Sequence, residues 1–188
     1  MTVRVDSEDG ATGVTAGPDA HEWTADGLRD VLAPLVGQSR DLVLAVDDGP
    51  AMSIWASAVE SFTRALAESG VFGDVTVCAL GVDDSGRAVL RGSDGGGPPD
   101  LTGSGRRLLL ALTDAVDPAW RWGGAWASLR ELGAAHSVAV VSPLSWWPAC
   151  RTGLDLHRLR LKVSEPGAPN HFYEWEPQVD VPGLYDDL

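Results

Sequence analysis

Two short runs, "DLVLAVDD" from Asp41 and "RLLLALTDA" from Arg107, constrain this chain more than any other feature. Each holds five consecutive apolar residues, too few for a buried helix and too uniform for a strand with one wet face. Both therefore read as strands buried on two faces, as in a parallel sheet. Each ends in acid, Asp47 and Asp48 in the first and Asp114 in the second, and each is followed by helical spacing. After the first run, Trp55, Val59, Phe62 and Leu66 form one stripe of a helix of about 17 residues that closes on "ESG", with Gly70 past its end. After the second, Trp122, Trp126, Leu129 and Leu132 mark a helix face within "VDPAWRWGGAWASLRELGAAH".

The remaining segments fit around that frame. "DVTVCALGVD" reads as a strand, and "DDSG" turns it into "RAVLRG", so the third strand is expected to be antiparallel and at an edge. The stretch "GSDGGGPPDLTGSG" is a loop, because its glycines and prolines forbid regular structure. "SVAVVSPL" reads as a third buried strand, "SWWPACRTGL" as a connector and "HRLRLKV" as an outer strand. A lead-in helix is expected from His21, with Thr24 as its N-cap and Trp23, Leu28, Leu32 and Leu35 on one side. The order calls for an α/β fold: a three-layer, doubly wound, mostly parallel sheet with one antiparallel edge strand. Three regions follow: a flexible leader over 1–20, one α/β domain over 21–164 and an acidic tail over 165–188, where six acids and no basic residue appear.

Charge and composition then narrow the function. A net charge of −13 repels phosphate backbones, so nucleic acid is not an expected partner. No apolar run approaches the roughly 20 residues that span a bilayer, and the first residues lack the build of a signal peptide, so the expected location is the cytoplasm, with no membrane partner. Cys78 and Cys150 form no metal or redox motif and read as free thiols. Ser142, Ser145, His136 and His157 show no ordered triad or nucleophile elbow. "DDGPAM" puts acids where a phosphate cradle would need amides. Asp47 and Asp48 are adjacent on a strand and point to opposite faces, which rules them out as a paired glycosidase site.

In sheets of this kind, ligands sit at the carboxyl ends of the strands, where Asp47 and Asp114 lie. Two carboxylates at one edge are partial ligands for a hard cation such as Mg²⁺. "VDDGPAMSIW" resembles the first metal loop of von Willebrand factor A (vWA) domains, Asp-x-Ser-x-Ser-Met, and "LTDA" resembles their second metal loop. The resemblance spans about residues 38 to 163. It places Asp47 at the family's first Asp, Met52 at the start of its helix and Asp114 at its final Asp. Gly49 and Ala51 stand at the two serine positions, Ala115 replaces the usual Gly, and Ser93, Thr102 or Ser104 would supply the family's threonine.

The echoes "AVLRG", "ALTDAVDPAWR", "VAVVSPL" and "RTGL…RLRLK…PGAPN" bring the chain closest to vWA-like domains at the front of multidomain proteins of bacterial conflict and signalling systems. There they stand beside tetratricopeptide repeats, NTPases, or caspase-like and trypsin-like proteases. The resemblance implies a non-enzymatic adaptor for a protein partner, with a degenerate metal site and no cofactor. One alternative is a Mg-dependent ligand-binding domain that keeps Asp47 and Asp114 as metal ligands. Another is a small hydrolase or nucleotide-using enzyme of unknown substrate. Trp146 and Trp147, side by side after a strand's carboxyl end, are the candidate partner-binding residues, since exposed tryptophan is enriched at binding hot spots.

Overall fold

The computed structural model describes residues 24–29, 40–92, 97–101, 107–143, 159–162 and 174–177. Five strands form one mixed sheet in the order β3-β2-β1-β4-β5: β1 (Arg40–Asp47), β2 (Phe72–Val82), β3 (Ala88–Gly92), β4 (Arg107–Leu112) and β5 (Ser137–Val141). β1 runs parallel to β2 and β4, and β4 runs parallel to β5. β3 alone is antiparallel, at the edge, as the short turn after β2 dictates. In that turn the Asp83 carboxylate accepts from the amides of Ser85 and Arg87 at 2.9 and 3.0 Å, which fixes the register.

The apolar runs occupy the centre of the sheet because they are wettable on neither face. Val43 and Ala45 enter one buried cluster with Leu109, Ala111, Trp120, Ala125 and Leu129. Leu42 and Leu44 enter another with Leu108, Leu110, Met52, Phe62 and Leu66. The period of two thus sends alternate residues of β1 to two separate cores. Between β1 and β2 the chain forms a 3₁₀ turn, Pro50–Trp55, and then helix α1, Ala56–Glu68. Phe62 and Leu66 of the predicted stripe are buried, and Trp55 and Val59 pack against the same cluster. Gly70 follows α1 with φ +68°, the left-handed residue that ends a helix. Among residues 24–29, Thr24 caps a helical turn through its hydroxyl, which accepts from the Gly27 amide at 3.2 Å, and Leu28 is buried.

Three expectations differ from the structure. The stretch after β4 is two helices, α2 (Pro118–Arg121) and α3 (Gly124–Gly133), separated at Gly123 with φ +85°. The break shifts the register, so Trp120 is buried and Trp122, expected on the packed face, is 85% exposed. β5 is an outer strand of the sheet with Ala139 exposed, not a fully buried one. Finally, "HRLRLKV" supplies β6 (Leu159–Lys162), which pairs antiparallel with β7 (Glu174–Pro177) in a separate two-stranded sheet. β7 falls in the segment read as an acidic tail. No helix among the described residues is long and apolar enough to cross a membrane.

Candidate functional site

β1, β2 and β4 are mutually aligned, so their carboxyl ends open onto one edge of the sheet. The register of β1 and β4 pairs Ala45 with Ala111 and Val46 with Leu112. Continued one step, it sets Asp47 beside Thr113, and the Thr113 amide extends the ladder by donating to Val141 at 3.0 Å. Residues 43, 45 and 47 of β1 share a face with residues 109 and 111 of β4 and with Thr113 just past its end. Asp47 therefore points into the core that holds Trp120, and its neighbour Asp48 points away from it.

All three groups are buried: Asp47 is 5% exposed, Thr113 0% and Trp120 1%. Asp47 Oδ2 accepts from the Thr113 hydroxyl, and from the Trp120 indole N–H at 3.0 Å. Oδ1 accepts from the Gly49 amide at 2.8 Å. The Thr113 oxygen also accepts from the Ala115 amide at 2.9 Å. Three of the about four lone-pair positions of the carboxylate thus face protein donors. Burial pushes the Asp47 carboxyl above the ordinary aspartate range; the bonds from Thr113, Gly49 and Trp120 pull it down, and the Asp114 charge pushes it up again.

Trp120 reaches this position through local chemistry at the β4 exit. Asp117 precedes Pro118, a cap followed by the residue best suited to a first helical position. The Asp117 carboxylate accepts from the Ala119 amide at 2.8 Å, and the helix it starts turns Trp120 back beneath the sheet edge. There the indole meets Trp126 edge to face, with ring centroids 5.0 Å apart and planes at 72°. The pairing of Asp117 with Pro118 was a legible signal for this placement. Thr113 was legible too, because it is Thr113 and not Asp114 that shares a strand face with Asp47.

Asp114 is brought to the same edge, 3% exposed, and its Oδ1 accepts from the Val116 amide at 3.1 Å. Ala115, at the usual glycine position, adopts φ +53° and is fully buried. Gly49 is needed where it stands: a Cβ there would lie 2.9 Å from Asp47 Oδ1, so a serine would push the carboxylate aside. Ala51 brings no oxygen on its side chain. N–H and O–H groups aim their positive ends at both Asp47 oxygens, the atoms that would ligate a divalent cation. Ser93, Thr102 and Ser104 lie outside the described residues, as do Trp146, Trp147, Ser145, His157 and Cys150. His136 and Ser142 flank opposite ends of β5, about 20 Å apart along an extended strand, too far to share one catalytic centre.

Asp48, one residue on, is exposed and pairs with Arg91 at 3.1 Å. Beside it lies an open depression of about 460 Å³, lined by Val46, Met52, Val59, Asp48 and Glu60 among others. The chain matches no family model, no curated protein and no solved structure.

Proposed function

We propose that this chain is a vWA-like module of three layers, doubly wound, that serves as a non-enzymatic adaptor for a protein partner and works without a bound cation. The order β3-β2-β1-β4-β5, with an antiparallel β3 and separate cores on the two sides of β1, supports the doubly wound arrangement. The observation that carries the cation-free reading is the Asp47 carboxylate, held by Thr113, Trp120 and Gly49. In place of an ion, three protein dipoles offset its charge and tie the exits of β1 and β4 together. A placement in a bacterial signalling or conflict system, in the cytoplasm, rests on the resemblance of the quoted motifs.

The test is affinity purification of the full chain from its source cells, followed by reconstitution with the purified partner in Mg²⁺ and in EDTA. The expected result is a stoichiometric protein partner whose Kd agrees within about twofold in the two buffers. A loss of about tenfold on chelation would establish the Mg-dependent reading instead. Absence of any protein partner would sink the adaptor.

A further inference from the structure

We propose that the depression beside the β1 exit seats a lysine or arginine side chain presented by a basic, apolar-flanked segment of a protein partner. The proposal rests on the adaptor reading and names the chemistry of its partner. The walls of the depression are Val46, Met52 and Val59, while Asp48 and Glu60 bring acids to the same opening. Apolar walls with carboxylates beside them complement an aliphatic stem that ends in a cation. Asp48 offers Oδ2 to Arg91, and its Oδ1 accepts from no described donor. Glu60, exposed on α1, has no ion-pair partner among the described residues. Ile54, on the 3₁₀ turn that supplies Met52 and Ser53 to the lining, is 76% exposed and offers an apolar contact for the residues that flank the cation.

Charge selects among the possible occupants. The β1 and β4 exits and the β2–β3 turn carry six aspartates against three arginines, Arg87, Arg91 and Arg121, of which Arg87 is paired with Glu131 and Arg91 with Asp48. The chain's own residues after Lys162 hold six acids and no basic residue, so this edge repels them. A second copy brings another net charge of −13 and is repelled likewise. Nucleic acids and anionic lipid surfaces carry the same sign. A neutral small molecule would need a concave site that buries about 70–90% of its surface, whereas this depression is open. A basic protein segment is the occupant that both the shape and the field favour.

The test is a titration of the ¹⁵N-labelled full chain, followed by amide chemical shifts, with a short synthetic peptide that alternates arginine with leucine. The same peptide with glutamate for arginine is the control. Saturable shifts confined to residues 46–60, absent with the control and weakened about tenfold by Glu60→Gln or by Asp48→Asn, are the expected result. Shifts elsewhere on the surface, or wild-type affinity in both variants, would overturn the pocket and leave the adaptor reading intact. No shift at millimolar peptide would overturn it as well. The adaptor reading itself fails by a different result, the absence of a protein partner in the purification above.

Discussion

The exits of β1 and β4 begin alike, each an apolar strand that delivers an acid to the same edge, and they end differently. At the β4 exit, Asp117 and Pro118 start a helix at once, and Trp120 swings under the edge to plug it. At the β1 exit, Gly49 and Pro50 lead into a 3₁₀ turn that leaves the depression open beside Asp48. The first exit folds its edge into core; the second buries Asp47 against it and keeps Asp48 and Glu60 in water. The contrast teaches that a carboxylate's role is set by what the following loop brings back to it. Asp47 and Asp48 differ by one residue and by every partner they have.

The largest effect that tests this contrast is expected at Trp120. Trp120→Ala should cost about 3–5 kcal/mol in urea denaturation, since it empties a fully buried site and leaves Asp47 Oδ2 short of a donor. Trp120→Phe keeps most of the ring and removes the N–H, and about 1–3 kcal/mol is expected from the unmet acceptor. Wild-type stability with Phe at 120 would mean that the indole bond contributes nothing and that the plug is purely steric. Asp47→Ala is expected to destabilise by a similar amount, because the Thr113 hydroxyl and the Trp120 N–H would lose their shared acceptor. It is therefore a folding variant and not a clean probe of cation binding.

The pH dependence compares Asp47 with Asp83. The folded pKa of Asp47 is raised by burial, so the native state binds the proton more tightly than the unfolded chain. Its contribution is fully present below the unfolded value of about 4 and is lost as pH rises through the folded value. Asp83, whose carboxyl is lowered by bonds from the Ser85 hydroxyl and the Arg87 amide, acts in the opposite sense. Its contribution is present above about 4 and is lost as pH falls through the folded value. Denaturation series on Asp47→Asn and Asp83→Asn should thus diverge from wild type with opposite slopes. Equal slopes would remove the distinction between the buried and the exposed acid.

Smaller effects are expected at two residues that follow β4, one buried and one exposed. Ala115→Gly relieves a left-handed residue, worth about 1 kcal/mol, and deletes a fully buried methyl, worth about the same, so the net change should fall within about 1 kcal/mol of zero. Trp122→Ser should change stability by no more than about 0.5 kcal/mol, the measure of how far the break at Gly123 separates it from Trp120. A cost near that of Trp120→Ala would mean that α2 and α3 pack as one helix.

Much of the fold was legible because its signals are local. The apolar runs placed β1 and β4, the acids and glycine of "DDSG" placed the hairpin, and Val59, Phe62 and Leu66 of the stripe placed α1, while Trp55 lies in the 3₁₀ turn before it. The candidate site was half legible. Asp47 and Asp114 were found at the sheet edge from strand ends alone, but Trp122 and Trp126 were assigned to one continuous helix face across a glycine pair that breaks it. Strand parity would have paired Asp47 with Thr113, since the register equates their faces.

By itself the sequence determined the first four strands, the helix between β1 and β2, the central place of the two apolar runs and the presence of acids at their ends, because periodicity and turn chemistry act over a few residues. Only the tertiary structure decided which donors reach Asp47, that Trp120 and not Trp122 is inside, that β5 lies at the sheet's edge and that β6 pairs with β7. Those outcomes depend on register and on a single left-handed glycine, which move side chains between core and solvent without changing the composition of any segment.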